Sequence, residues 1–122
     1  MKIQNFTDLN AWKIGHELLL SIYKTTSTYP KSELFGITSQ MRRSALSITS
    51  NLAEGFGRTS PKEKIQFYNI ALGSTTELQN QLIASKDLSL INQVEFVNAW
   101  ENSITVHKLI NGLIKSIRSS IT

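Results

Sequence analysis

From Asp8 to Ser119 the apolar residues recur at steps of three and four, and only a few short segments interrupt the pattern. No stretch alternates apolar and polar residues over the length of a strand. The two prolines, Pro30 and Pro61, both fall at the interruptions. Four long helices joined by short links satisfy this punctuation, and they close most simply as an antiparallel up-and-down four-helix bundle. The chain is therefore read as all-α, with a single domain over residues 1–122.

The first helix is expected from about Asp8, a candidate N-cap, to Thr26. Tyr29-Pro30 closes that region, because the residue before a proline avoids helical angles. The second is expected from near Ser32 to Gly55-Phe56-Gly57, where a glycine can adopt a left-handed cap. Ser60, Pro61 and Glu63 stand at N-cap, N1 and N3 of the third, a capping-box arrangement, and that helix should reach about Leu88. Asn92 and Glu95 repeat the box for the fourth, which should run to about Ser119. Glu95 and Glu101 come early in it, and Lys108, Lys115 and Arg118 late, as the helix dipole favours.

The second helix has an unusual side. Met41, Ala45, Ile48 and Leu52 make its apolar stripe, while Arg43, Ser47, Ser50 and Glu54 share another face with Asn51 at its edge. Small hydroxyl residues let a second backbone approach closely, so this face reads as packed. Arg43, Asn51, Glu54 and Glu77 are expected to form a structural polar network, within one chain or between chains.

The helices also carry more apolar surface than one seam needs. The third has Phe67, Ala71, Ser74, Leu78 and Leu82 on one side, and Ile65, Leu72, Thr76 and Ile83 on nearly the opposite side. The first has Trp12, His16, Leu19 and Tyr23 against Ala11, Ile14, Leu18 and Ile22. In the fourth, Phe96, Trp100, His107, Ile110, Ile114 and Ile117 are widened by Val106, Leu109 and Leu113. Burying a side chain such as Leu72 is worth roughly 1.5–3 kcal/mol, and monomers rarely leave large apolar patches open. A homo-oligomer using Ile65, Leu72, Thr76 and Ile83 as its interface is one answer. Wide helix faces closing around one large core are the other.

These residues resemble a known family of small four-helix-bundle proteins, the 23S rRNA intervening-sequence or S23-like proteins. The resemblance rests on Phe6-Thr7-Asp8-Leu9 with Trp12 and Tyr23; on Tyr29-Pro30 with Glu33 and Gly36; on Gln40-Met41-Arg42-Arg43 followed by Ser47-Ile48 and Asn51-Leu52-Ala53-Glu54-Gly55; and on Phe67, Ala71, Gly73-Ser74 and Glu77-Leu78. It implies an antiparallel four-helix protomer and a ring-like homopentamer. It extends to the accessory protein of diversity-generating retroelements, a pentameric barrel that binds nucleic acid and a reverse transcriptase. RNA or DNA, and a protein such as a reverse transcriptase, are thus the implied partners. Thr49 stands where the family often has proline, which implies a straighter second helix here.

Most catalytic chemistry lacks its parts. The absence of cysteine rules out disulfides and thiolate metal sites. No glutamate precedes a histidine by three residues, as a di-iron bundle requires, so His16 and His107 read as locally hydrogen-bonded side chains. Gly55-Phe56-Gly57-Arg58 lacks the Gly-Lys-Ser/Thr ending of a phosphate loop. No catalytic residue, cofactor or metal is expected, and without a signal-like or membrane-length apolar run the expected location is the cytoplasm. The net charge of +4 favours acidic partners. Arg42, Arg58, Lys62, Lys64, Lys108, Lys115 and Arg118 are the candidate phosphate contacts, with Phe56 and Tyr68 the nearby rings, available either for base stacking or for the core. The expected function is a non-enzymatic homo-oligomeric bundle that binds nucleic acid. The alternative is an oligomeric protein-interaction module with no nucleic-acid role.

Overall fold

The computed structural model describes residues 2–121. Four helices carry the fold: α1 (Asn10–Thr26), α2 (Ser39–Gly57), α3 (Pro61–Asp87) and α4 (Gln93–Ser120), with no strand among the described residues. Each helix packs on the next in sequence, and α4 closes back on α1, so the chain runs up, down, up and down. One end of the bundle gathers the start of α1, the α2–α3 link and the end of α4. Leu18, Ile22, Met41, Ile48, Leu52, Leu78, Leu82, Val106 and Ile110 are fully buried at the centre. On α4 the buried line is Ala99, Ser103, Val106, Ile110 and Ile114, so Ser103 lies inside and His107 is only half-buried.

Local caps explain two of the four starts. Ser60 Oγ accepts the Glu63 N–H at 3.3 Å, with Pro61 at the first helical position. Asn92 Oδ1 accepts the Glu95 N–H at 2.8 Å, and its amide nitrogen donates to Glu95 Oε1 at 3.2 Å.

Asp8 does not cap α1. It closes a short 3-10 turn, Phe6–Asp8, capped by Asn5, and its Oδ2 accepts the N–H groups of Gln4 and Asn5 at 2.9 and 3.2 Å. Those two bonds favour the charged form and hold its carboxyl below the ordinary range. The second helix starts later than the pattern suggests. A 3-10 turn, Lys31–Glu33, leads into a wide turn over Leu34–Thr38, broken at Gly36 (φ −109°, ψ −118°), before regular α-helix begins at Ser39. From there α2 runs unbroken through Thr49, whose hydroxyl donates to the Leu46 carbonyl at 3.1 Å.

The expected left-handed glycine at the end of α2 is not there. No described glycine has positive φ, and Arg58 ends the helix in an extended conformation. Gly55 serves a different purpose: a Cβ on it would lie 2.7 Å from Tyr68 Cε1 and 3.1 Å from Phe67 Cβ. The helices α2 and α3 approach so closely there that no side chain fits between them without a shift. The left-handed residue is Ser89 (φ 59°), after α3. Leu90 N–H donates to the Ser85 carbonyl at 2.9 Å and Ser89 N–H to the Lys86 carbonyl at 3.0 Å, the paired bonds of a Schellman cap.

The small-residue face of α2 packs against α3. Ser47 and Ser74 hydroxyls meet at 2.7 Å, and Asn51 donates to the Ser47 carbonyl at 2.8 Å. Ser44 Oγ donates to Glu77 at 2.7 Å. Within the chain, however, the four-residue polar network is not formed. Arg43 reaches only Gln40, at 3.2 Å, while Glu54 pairs with Arg58 at 3.0 Å, and neither joins Asn51 or Glu77. The second stripe of α3 is also split. Ile65 and Leu72 pack half-buried on the core, because α3 borders both α2 and α4 and needs an apolar arc wider than one seam. Thr76 and Ile83 remain on the outer face.

Candidate nucleic-acid interface

Helix polarity determines how the basic residues are used. The carbonyls at a helix C-terminus lack intrahelical donors and carry partial negative charge, and nearby cations fold onto them. Lys64 Nζ donates to the Phe56 carbonyl at 2.7 Å and the Gly55 carbonyl at 3.3 Å, closing the end of α2. Arg42 does the same for α1: its Nε donates to Thr26 Oγ1 at 2.9 Å, and its guanidinium lies 4.6 Å above the Tyr23 ring. Arg58 pairs with Glu54 at 3.0 Å and Glu63 at 3.8 Å, and stacks 4.7 Å over Phe67. Three of the seven expected phosphate contacts, Arg42, Arg58 and Lys64, thus have intramolecular work.

The other four, Lys62, Lys108, Lys115 and Arg118, form no ion pair among the described residues. They do not occupy separate regions. The antiparallel arrangement brings the start of α3 and the end of α4 to the same end of the bundle. Lys13, on the first turns of α1, joins them there, a placement that needs the topology and cannot be seen from spacing. Eight of the thirteen lysines and arginines lie toward this end, against four of the nine acids, Asp8, Glu17, Glu54 and Glu63. The opposite end balances, so the net charge of +4 belongs to one end.

That end is also indented. Lys115 and Arg118 border a hollow of about 330 Å³ with Asn111, Ile114 and Ser119. Lys108 borders another of about 290 Å³ between the start of α1 and the last turns of α4. The proposed stacking rings are not open to a base. Tyr68 is only 3% exposed, and burial pushes its phenol pKa up. Phe56 is half-buried, with Lys64 Nζ 5.4 Å from its ring. The basic end therefore offers charge without an aromatic platform.

Among the described residues no cluster of three or more His, Asp or Glu side chains is placed to hold a metal. His16 stacks on Trp12 at 4.7 Å, and His107 Nδ1 lies 3.2 Å from Asn111 Nδ2. No described helix is long and apolar enough to cross a membrane.

Fold and site together define an antiparallel four-helix bundle with its charge gathered at one end. The chain belongs to the 23S rRNA-intervening sequence protein family, whose family model matches residues 7–112. Among solved structures it is similar to a protein of unknown function from the S23 ribosomal protein family of Bacteroides thetaiotaomicron VPI-5482. The two share 24% identity with a TM-score of 0.77, over 86% of this chain and 98% of that one, a likeness of fold. A comparison with curated proteins gives no match.

Proposed function

We propose that this chain is a non-enzymatic, self-associating helical scaffold that binds nucleic acid through its basic end. The observation that carries the reading is the confinement of the whole net charge to the end bearing the α2–α3 link and the close of α4. Lys62, Lys108, Lys115 and Arg118 are the contacting residues, because no carboxylate of the described chain neutralises them. With no open ring beside them, they bind phosphates and do not stack on bases. Self-association repeats this end in each copy, and several weak phosphate contacts then act together.

Fluorescence anisotropy with labelled single-stranded and duplex RNA and DNA across a salt series tests the reading. Four contacts on duplex DNA give a log–log slope near about −3.6 per copy, at roughly −0.9 per neutralised phosphate. Changing Lys62, Lys108, Lys115 and Arg118 together to Gln should abolish that slope, whereas Arg42→Gln should leave it unchanged. No binding at low salt would remove the nucleic-acid role. The exposed apolar side chains of α1 and α2 would then favour the second reading, an oligomeric protein-docking module whose binding changes little with salt.

A further inference from the structure

The face that α1 and α2 share, with the link between them, is apolar where the basic end is charged. Phe35 is 91% exposed, and Leu20, Tyr23, Leu34 and Leu46 are all more than two-fifths exposed. Two hollows open here side by side. The larger, about 330 Å³, has mostly apolar walls and lies between Tyr23, Leu34, Arg43 and Leu46. The smaller, about 140 Å³, is more enclosed and more polar, with Thr26, Ser27 and Lys31 among its walls. Leu34, Thr38 and Arg42 line both.

Arg42 is the fixed point between the two hollows. Its Nε donates to Thr26 Oγ1 at 2.9 Å, and its guanidinium lies 4.6 Å above the Tyr23 ring. These contacts hold the side chain in place and leave its charge uncompensated, since neither partner is an acid.

The surrounding charge is segregated. The end of the bundle away from the basic end is neutral in total, but α1, the link and α2 supply it with Lys24, Lys31, Arg42 and Arg43 against Glu33 alone. The balancing acids, Glu77, Asp87, Glu95 and Glu101, belong to α3 and α4, where Lys86 is the single cation of that end. Arg43 meets only the neutral Gln40. The apolar patch is thus rimmed by cations. A second copy set against this patch face to face would oppose cation to cation, which association disfavours.

We propose that this face docks a segment of a partner protein in which large apolar side chains are interleaved with aspartates and glutamates. A Phe or Leu of the segment fills the larger hollow against Tyr23 and Leu46. A carboxylate enters the smaller one, toward Arg42 and Lys31. Arg42 is already held, so it loses little freedom on binding. The hollows are concave and side-chain-sized, which suits a peptide; a bilayer surface, also apolar and anionic, is too flat to enter them. The proposal is independent of phosphate binding, which uses other residues.

Isothermal titration calorimetry tests it, with a probe peptide of three repeats of Asp-Glu-Phe-Leu, circular dichroism as the folding control and light scattering for mass. The peptide should saturate at one per chain. Leu46→Asp and Phe35→Ala, both at exposed positions, should each weaken it on the order of tenfold. Lys31→Glu with Arg43→Glu should weaken it on the order of tenfold as well. Changing Lys62, Lys108, Lys115 and Arg118 together to Gln should leave it unchanged. Peptides with Lys in place of the acids, or Ala in place of Phe and Leu, should not bind. The proposal is overturned if the probe does not bind, or if the basic-end variant loses it while Leu46→Asp keeps it; phosphate binding is then still judged by its own salt slope. Phosphatidylserine–phosphatidylcholine vesicles that capture the protein through Phe35 and Leu46 where the peptide fails would make the face a lipid contact. A drop in mass with Leu46→Asp would make it an interface between copies. Either result also overturns the proposal.

Discussion

Gly55 and Gly73 allow the packing argument to be tested with one chemical change at two places. Both glycines lie inside helices, and Gly→Ala in a helix interior gains about 1 kcal/mol from intrinsic propensity. They differ in what the added methyl meets. At Gly73 nothing lies within 4 Å of the new Cβ. At Gly55 it would sit 2.7 and 2.9 Å from two carbons of the Tyr68 ring and 3.1 Å from Phe67 Cβ. Carbon atoms rest at about 3.5–4.0 Å. The Tyr68 ring is 3% exposed and has nowhere to swing, and Phe67 Cβ moves only if α3 moves.

Overpacking of this kind costs about 1–3 kcal/mol. Gly73→Ala should therefore stabilise the protein by about 1 kcal/mol, while Gly55→Ala should range from neutral to about 2 kcal/mol destabilising. Because the propensity gain is shared, the gap between the variants isolates the clash, about 1–3 kcal/mol, or about 3–6 °C in Tm per kcal/mol. Urea unfolding followed by circular dichroism measures it, at one fixed protein concentration because association shifts apparent stability. Equal stabilities for the two variants would show that α2 and α3 do not approach at Gly55, and the account of the small-residue face would fail with them.

Two further outcomes follow from caps. Ser89 carries the only positive φ among the described non-glycine residues, inside a Schellman cap whose hydrogen bonds do not involve its side chain; Ser89→Gly should stabilise by about 0.5–1 kcal/mol in the same unfolding assay. Arg42→Lys keeps the charge but loses the planar stack on Tyr23 and the Nε bond to Thr26, so it should lower stability by about 1 kcal/mol while leaving the salt slope of nucleic-acid binding unchanged.

The sequence is most legible where the information is local. Ser60-Pro61 and Asn92 announce their helices because a cap is made by residues three apart, and the structure places both N-caps as the pattern predicts, although the return bond of a capping box, from the N-cap N–H to the glutamate, forms at neither. The start of the second helix is misread for an equally physical reason. Leu34, Ile37 and Met41 keep helical spacing across Gly36, so periodicity alone carries the helix back to Ser32, but Gly36 leaves helical angles and turns Phe35 outward. Ser89 carries no signal, since a left-handed cap usually advertises itself by glycine. Arg43 and Glu54 share a face of the helical wheel, yet eleven residues at about 1.5 Å each separate them by roughly 16 Å along the axis. A wheel shows direction and hides distance, so within one chain these two side chains cannot meet directly.

The basic residues extend the same reasoning to function. Counted along the sequence, Arg42, Arg58, Lys62, Lys64, Lys108, Lys115 and Arg118 are equivalent positive charges. In the fold they separate according to what lies within one side-chain length. Arg42 and Lys64 follow helices that end with bare carbonyls, and they turn inward to those carbonyls. Arg58 has acids four residues before and five after it, and the α2–α3 link folds both onto it. Lys108, Lys115 and Arg118 stand on a helix with no acidic residue in its last half, so nothing local neutralises them. Lys62 precedes Glu63, but Glu63 is turned toward Arg58. The same antiparallel return that makes the bundle then sets Lys62 beside the end of α4. A basic surface arises here from helix direction and chain reversal, without any basic run in the sequence, and Lys62, Lys108, Lys115 and Arg118 are the unpaired members on which the proposed phosphate binding rests.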